Sequence, residues 1–402
     1  MITQPLASTS FRDPAGFVFD CDGKLLRQIN QSCREDYDLL IGSGLYDDLT
    51  ASGLLIPHEE VDATPPAPET AYKIVAPQPI ELISYPYEWC FSQLQDAALL
   101  TLELQRRAMS HGMSLKDASA YNVQFHRGRP TFIDTLSFEA YREGEPWVGY
   151  RQFCQHFLAP LALMSLVDGR LNQLCRTNID GVPLDLTSRL LPYRTRLRPG
   201  LALHLHVHAR MDRSAAGKPR TSGGKGFSRA ALLGLVGHLE STVKRLRSRP
   251  ARRGWLGYYQ DNTYTAESIT VKERLVSEFL DRADPNRVWD FGANTGRFSR
   301  IAGDRSISTT AFDVDVDCVE ANYQEVKRKG DRHLLPLQLD LFNPSPASGW
   351  MNRERASLFD RGNPDLVLAL ALIHHLAFTG NLPLENIARF FEGVAPWLVV
   401  EF

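Results

Sequence analysis

The sequence predicts an α/β protein in two parts: a C-terminal doubly wound parallel sheet preceded by an N-terminal α+β body. Three observations lead there. Downstream of Trp255, short apolar runs alternate with helical stretches, as expected of strands covered on both faces by crossover helices. Upstream, the pattern changes to hairpins and one long helix. Between the two, Arg210 to Arg253 carries twelve Lys and Arg against Asp212 and Glu240, in a chain whose net charge is only −2. The expected divisions are an accessory domain over 1–209, a basic linker and helix over 210–254, and a sheet domain over 255–402. At roughly 150 residues per domain the length suits two or three.

Composition narrows the class. Hydrophobic residues make up 43% and charged residues 23%, the balance of an ordinary globular chain rather than a fibrous or disordered one. The longest apolar run, Leu366 to Ile373, is well short of a membrane span. The start, MITQPLASTSFRDPAG, has no secretory h-region. Six scattered cysteines without a CxxC pair argue against a zinc site or a disulfide framework, so the expected location is the cytoplasm.

The N-terminal elements follow in order. FVFDCDGKLLRQI (Phe17 to Ile29) predicts a hairpin turned at Asp22-Gly23. Glu35 to Leu55 predicts a helix, and Tyr72 to Ile83 two short strands. Ser92 to His111 is amphipathic, with Leu94, Ala97, Leu100, Leu104 and Ala108 on one face. The loop DASAYN leads into a second hairpin, VQFHRGRPTFIDTL, and helices begin near Val148. Arg210 to Ser228 is rich in Gly, Ser, Lys and Arg and predicts a linker. The basic strip either meets phosphate or another anionic surface, or is a solvated connection. A helix is expected over Arg229 to Arg247, and a second break at SRPARRG, Ser248 to Gly254.

The C-terminal elements begin with a strand over Val288 to Phe291 and a helix from Phe298 to Gly303. Further strands are expected at Ser308 to Val314, Leu334 to Leu341, Leu366 to Ile373 and Leu398 to Phe402. Helices are expected at VDCVEANYQEVKRKG and at Glu385 to Phe391. In VWDFGANTGRFSR, Gly292 permits a sharp turn at the strand end, and Gly296 permits close approach of a ligand to the backbone. Asp313 ends the second strand, where a carboxylate can accept from ribose hydroxyls. Asp340 ends the third, where it can accept from an adenine amino group.

These residues resemble the class I S-adenosylmethionine-dependent methyltransferases. DFGANTG is similar to their first motif, AFDVD to their acidic ribose loop, and LQLDL to their adenine-side motif. The resemblance covers about Trp255 to Phe402; the whole-chain pattern is also similar to NoeA-like nodulation methyltransferases. It implies a Rossmann-like sheet, S-adenosylmethionine as cofactor, and a cofactor site of Asp290, Gly292, Asn294, Gly296, Asp313 and Asp340. That family's sheet has seven strands and only five are placed here. The sheet is therefore expected to be truncated after strand five, or completed by another chain or by the first domain.

At the end of the fourth strand, His374 and His375 sit where a near-neutral base could take a proton from an acceptor hydroxyl. The Asn/Asp-Pro-Pro-aromatic motif of amino-methylating relatives is missing, which leans toward an oxygen acceptor, of small-molecule or glycan type. Trp255, Tyr258, Tyr259 and Tyr264 form either an acceptor wall or an ordinary aromatic cover. Arg353, Arg355 and Arg361 lie on an insertion, WMNRERASLFDR, that either contacts an anionic acceptor or, the favoured reading, is a solvated loop.

In the first domain, Asp117 and Asn122 (D-x4-N) with Asp134 resemble the catalytic loop and metal-binding Asp of protein kinase-like and aminoglycoside phosphotransferase folds. The resemblance implies Mg-ATP, with Asp117 orienting a hydroxyl and Asn122 and Asp134 holding magnesium. The departures are clear: no His-Arg precedes Asp117, Thr-Leu follows Asp134, and PAGFVF holds one glycine. Lys24 or Arg27 would have to serve as the phosphate-pairing cation. The alternative function is thus ATP binding or phosphotransfer, with the methyltransferase part inert or regulatory. No nucleic-acid-reading motif is present, so among macromolecules only an anionic partner at 210–253 is expected.

Overall fold

The computed structural model describes residues 12–210, 227–249 and 265–401. Most of the expected linker (211–226), most of the break at 248–254 and the aromatic block Trp255 to Tyr264 lie outside these residues.

The N-terminal body opens with strand β1 (Gly16–Cys21) and strand β2 (Lys24–Asn30), which pair antiparallel around Asp22-Gly23. Both turn residues have positive φ, 52° and 78°, the backbone of a tight hairpin turn that matches strand twist. Strand β3 (His58–Glu60) and strand β4 (Ala71–Pro77) complete a four-stranded sheet in the order β1-β2-β4-β3. Only one strand forms over Tyr72 to Ile83, because Pro77 and Pro79 lack the N–H groups that would continue the ladder. The helix expected over Glu35 to Leu55 is two, helix α1 (Arg34–Gly42) and helix α2 (Leu45–Ala51), broken at Gly44 with φ 79°.

Helix α3 (Phe91–Ser110) is the spine of this body, with Leu94, Ala97, Leu102, Leu104 and Ala108 fully buried. Around it lie strand β5 (Met113–Leu115), strand β6 (Val123–His126), strand β7 (Arg129–Phe132) and strand β8 (Phe138–Ala140). Short helical pieces follow between Tyr150 and Val207. Helix α4 (Arg229–Arg245) then packs back on α3, and Ser228 caps it by accepting from the Ala231 N–H.

The C-terminal part starts with helix α5 (Ala266–Ala283), which the sequence patterning did not anticipate. Strand β9 (Arg287–Phe291), strand β10 (Ser308–Asp313), strand β11 (Leu334–Gln338), strand β12 (Leu366–Ala369) and strand β13 (Trp397–Val400) form one parallel sheet. Its order is β11-β10-β9-β12-β13, so the winding reverses between β9 and β12. Helix α6 (Ser299–Gly303), helix α7 (Val316–Lys329) and helix α8 (Leu384–Glu392) are the connecting helices. Two strands are shorter than expected. β12 stops at Ala369 because the chain turns away at Ala371, φ 52°, and β11 stops at Gln338, leaving Asp340 two residues beyond it.

One apolar cluster runs through both parts. Trp89, Phe125 and Leu94 share it with Trp289, Phe312 and Tyr323. The Phe125 and Tyr323 rings meet edge to face at 5.7 Å. Polar bonds line the same seam. Tyr323 donates to Asp96 Oδ2 at 2.9 Å, Gln93 Nε2 donates to the Pro336 carbonyl at 2.9 Å, and Ser92 N–H donates to Glu320 at 2.9 Å. Arg361 is not solvated: it and Glu88 form an ion pair at 2.6 Å with side chains only 2% and 3% exposed. Among the described residues no helix is long and apolar enough to cross a membrane.

Candidate functional site

The reversal of winding between β9 and β12 opens a crevice at the carboxyl edge of the sheet, where open α/β sheets place ligands. A cleft of about 350 Å³ lies there. The end of each central strand delivers residues into it. β9 delivers Asp290, Gly292 and Asn294; β10 delivers Asp313; the segment after β11 delivers Asp340 and Phe342; the turn after β12 delivers Leu372 and His375.

The first turn is held by backbone bonds. The N–H groups of Gly292 and Ala293 both donate to the Phe312 carbonyl, at 2.9 and 3.0 Å. Gly292 has φ +75°, and a Cβ there would stand 3.3 Å from Leu372 Cδ1. Asn294 takes φ 51°, a conformation Asn tolerates better than most residues, and its N–H donates to Asp313 Oδ2 at 2.7 Å. The Asp315 N–H donates to the other oxygen, Asp313 Oδ1, at 2.8 Å. The Val314 N–H faces the same carboxylate, which keeps capacity to accept from a further hydroxyl. Burial pushes the Asp313 carboxyl up to about 6 in spite of these bonds. Asp290 is more deeply set; burial pushes it up to about 7, opposed by the Ser299 hydroxyl, which donates to its Oδ2 at 2.6 Å. Asp340 is exposed and its Oδ1 accepts from the Phe342 N–H at 2.9 Å.

Two expected members stand elsewhere. Gly296 does not line the cleft. Its φ is +76°, and a Cβ would stand 2.4 Å from the Asn322 side chain, so this glycine lets the turn pack on α7 rather than on a ligand. His374 is exposed outside the cleft wall, while His375 lines it, the two rings 4.2 Å apart. Burial, and then the neighbouring His374, lower the His375 pKa, so its ring is neutral near pH 7.

In the N-terminal body, Asp117, Asn122 and Asp134 do come near one another. Asp134 Oδ2 accepts from the Ser137 hydroxyl at 2.5 Å, and Asn122 Nδ2 donates to the same hydroxyl at 3.2 Å. Asp117 Oδ1 accepts from the Ser119 N–H at 3.0 Å, the Asn122 and Gln152 side chains also face its carboxyl, and burial followed by the Asp134 charge raises its pKa. Arg27 pairs directly with Asp134. Burial would raise the Asp134 pKa, but the Arg27 charge and the Ser137 bond outweigh it and hold the carboxyl below its usual range. Lys24 is exposed at the hairpin end. Among the described residues no group of three or more His, Cys, Asp and Glu is arranged to hold a metal.

No family model matches the chain. Over 403 residues it is 35% identical to the nodulation protein NoeA of Rhizobium meliloti (strain 1021), a match that covers 98% of this chain and 84% of that protein. The chain belongs to the NoeA family. Among solved structures, WbdD matches 38% of this NoeA-family chain at 13% identity with a TM-score of 0.27. PH0226 of Pyrococcus horikoshii OT3 matches 35% at 16% identity and 0.26. The magnesium protoporphyrin IX methyltransferase of Synechocystis PCC 6803 matches 36% at 16% identity and 0.25. These likenesses span 33%, 60% and 64% of the respective chains, so none reaches two thirds of its counterpart.

Sequence reasoning about this NoeA member missed Lys272. Helix α5 buries Ile269, Val276 and Leu280, and Lys272 stands one turn on from Ile269, on the same face. There it lines the cleft, pairs with Glu401 at 2.5 Å, and lies over the Phe298 ring at 4.5 Å. A lone lysine at stripe spacing was the available signal. The apolar wall of Phe298, Phe312 and Phe342 was equally unmarked in sequence.

Proposed function

We propose that the chain transfers a methyl group from S-adenosylmethionine to an oxygen of a small-molecule or glycan-type acceptor, in the cleft at the carboxyl edge of the five-stranded sheet. The observation that carries this reading is Asp313, fixed by two backbone N–H groups beside a glycine turn at the point where the winding reverses. The residues fit such a cofactor. The Gly292 turn offers bare backbone, the remaining accepting capacity of Asp313 suits a ribose hydroxyl, and Asp340 with Phe342 suits the adenine end. Asp290 braces the turn through Ser299. When bound, S-adenosylmethionine supplies an electrophilic methyl group on a sulfonium.

The chain's own part is to orient the acceptor, exclude water and take a proton. Phe298, Phe312 and Leu372 provide the dry wall. His375, neutral and on that wall, accepts the proton of the acceptor hydroxyl, and His374 stands beside it at the rim. The phosphotransfer alternative has less support, because Arg27 already neutralises the carboxylate that would hold magnesium.

Titration calorimetry with S-adenosylmethionine tests the reading. Saturable binding is expected, lost in Asp313→Ala while the fold is kept. No binding by the intact folded chain would overturn it.

A further inference from the structure

A second concave site lies where the β6–β7 hairpin meets the segment between α7 and β11. Its volume is about 310 Å³, within the range of small-molecule sites. Arg127, Arg129 and Arg332 line it together with His126, Gln78 and Thr131. No acidic residue is among the lining residues.

Three features separate this groove from a solvated charged face. First, none of the three arginines has a carboxylate within ion-pairing distance, and none of their side chains makes a hydrogen bond to the described residues. The neighbouring Asp331 is engaged by Arg300 at 3.6 Å, and Glu81 lies in the adjoining depression beside Arg127. Second, the convergence is built rather than incidental. Arg127 and Gly128 form a two-residue turn with φ of 50° and 73°, closed by the His126–Arg129 pair. Gly128 is pressed on the segment that carries Arg332: a Cβ there would stand 2.1 Å from the Asp331 carbonyl oxygen. The floor is pinned by the Ile56 N–H to the Phe132 carbonyl at 2.9 Å and the Phe132 N–H to the Leu54 carbonyl at 2.8 Å. Turn chemistry favours Asn, Asp or Gly at the first position of such a turn, so it does not account for an arginine held at positive φ there. Third, His126 Nδ1 is buried and makes no hydrogen bond within the protein.

We propose that this groove binds a phosphate-bearing small molecule carrying more than one negative charge. Guanidinium groups present paired N–H donors that match phosphate oxygens. Three of them from two parts of the chain, around a concave surface without acids, concentrate positive potential at one place. Thr131 and the Gln78 amide offer neutral contacts for the rest of the ligand. The site is independent of the methyl-transfer cleft and of its occupant.

Pyrophosphate is the probe, titrated calorimetrically into the full chain with ionic strength matched by sodium chloride. Saturable binding is expected, weakened about tenfold or more in Arg129→Ala/Arg332→Ala. Both side chains are exposed, so the variant should fold, and its unchanged thermal transition without ligand verifies this. Asp313→Asn should bind pyrophosphate as the wild type does. Absence of saturable binding, equal affinity in the double arginine variant, or loss of binding in Asp313→Asn instead would each overturn the proposal.

Discussion

Asp290 and Asp313 illustrate how one environment acts on fold and binding in opposite directions. Both carboxyls are raised chiefly by burial, to about 7 and about 6. A raised acid stabilises the fold fully below its unfolded value near 3.8, and that contribution is lost as pH rises through the folded value. The ligand-free protein should therefore lose stability between about pH 4 and pH 7. Asp290→Asn keeps an acceptor for the Ser299 hydroxyl and carries no charge. It should stabilise the protein by about 2 kcal/mol at pH 8 and have little effect at pH 4, measured by urea unfolding at the two values. Binding in the cleft should run the other way. Protonated Asp313 is a poorer acceptor for hydroxyls, so the affinity for S-adenosylmethionine should fall as pH drops below about 6, approaching tenfold per unit. Calorimetric titrations from pH 5 to 8 check this; a flat profile would remove Asp313 from the site.

Single elements hold the cleft in shape. Gly296→Ala would place a methyl group against Asn322 in a backbone region hostile to side chains, and Asn322 cannot retreat freely because Arg300 Nη2 donates to its Oδ1 at 2.7 Å. A loss of about 2–4 kcal/mol is expected in denaturant unfolding. The segment after β11 is tethered differently. Arg176 of the N-terminal body donates to Asn343 Oδ1 at 3.1 Å and to the carbonyls of Asn343 and Pro344 at 3.2 and 3.3 Å. Arg176→Ala should leave unfolding nearly unchanged and weaken S-adenosylmethionine binding about three- to tenfold, since only the placement of Asp340 and Phe342 depends on it. Much of this scale was legible in sequence. The five apolar runs are all strands, and the turn at Gly292 with Asp313 is where the spacing put it. The misreadings share one cause, that a local pattern does not show what lies across the fold. Gly296 looks the same whether it faces a ligand or Asn322. The run Leu366 to Ile373 looks continuous although the chain must leave the sheet at Ala371. Helix α5 was hidden behind the aromatic residues that precede it.

At the scale of the molecule, the fused core is what sequence could least reveal. Arg361 reads as loop charge until Glu88, 273 residues upstream, is placed beside it. The pair also engages the Ile83 carbonyl from Arg361 and the Ser345 hydroxyl at Glu88. Removing one partner strands a buried charge. Arg361→Met alone should cost about 3–5 kcal/mol, and Arg361→Met with Glu88→Leu should cost less than the single change, read from urea midpoints. The seam also governs how fast the cleft can turn over its contents. Apolar packing and polar bonds from Glu88 through Asp96 to Glu320 leave the two parts no freedom to swing apart as hinged lobes do. Entry and departure must then run on the flexing of short spans, residues 340–344 and 371–380, where Phe342 and Phe378 stand 50% and 85% exposed at the surface. Span motions of that kind take nanoseconds to microseconds, against microseconds to milliseconds for lobes. Traffic through the cleft thus falls to these two spans, the first of which Arg176 holds through Asn343.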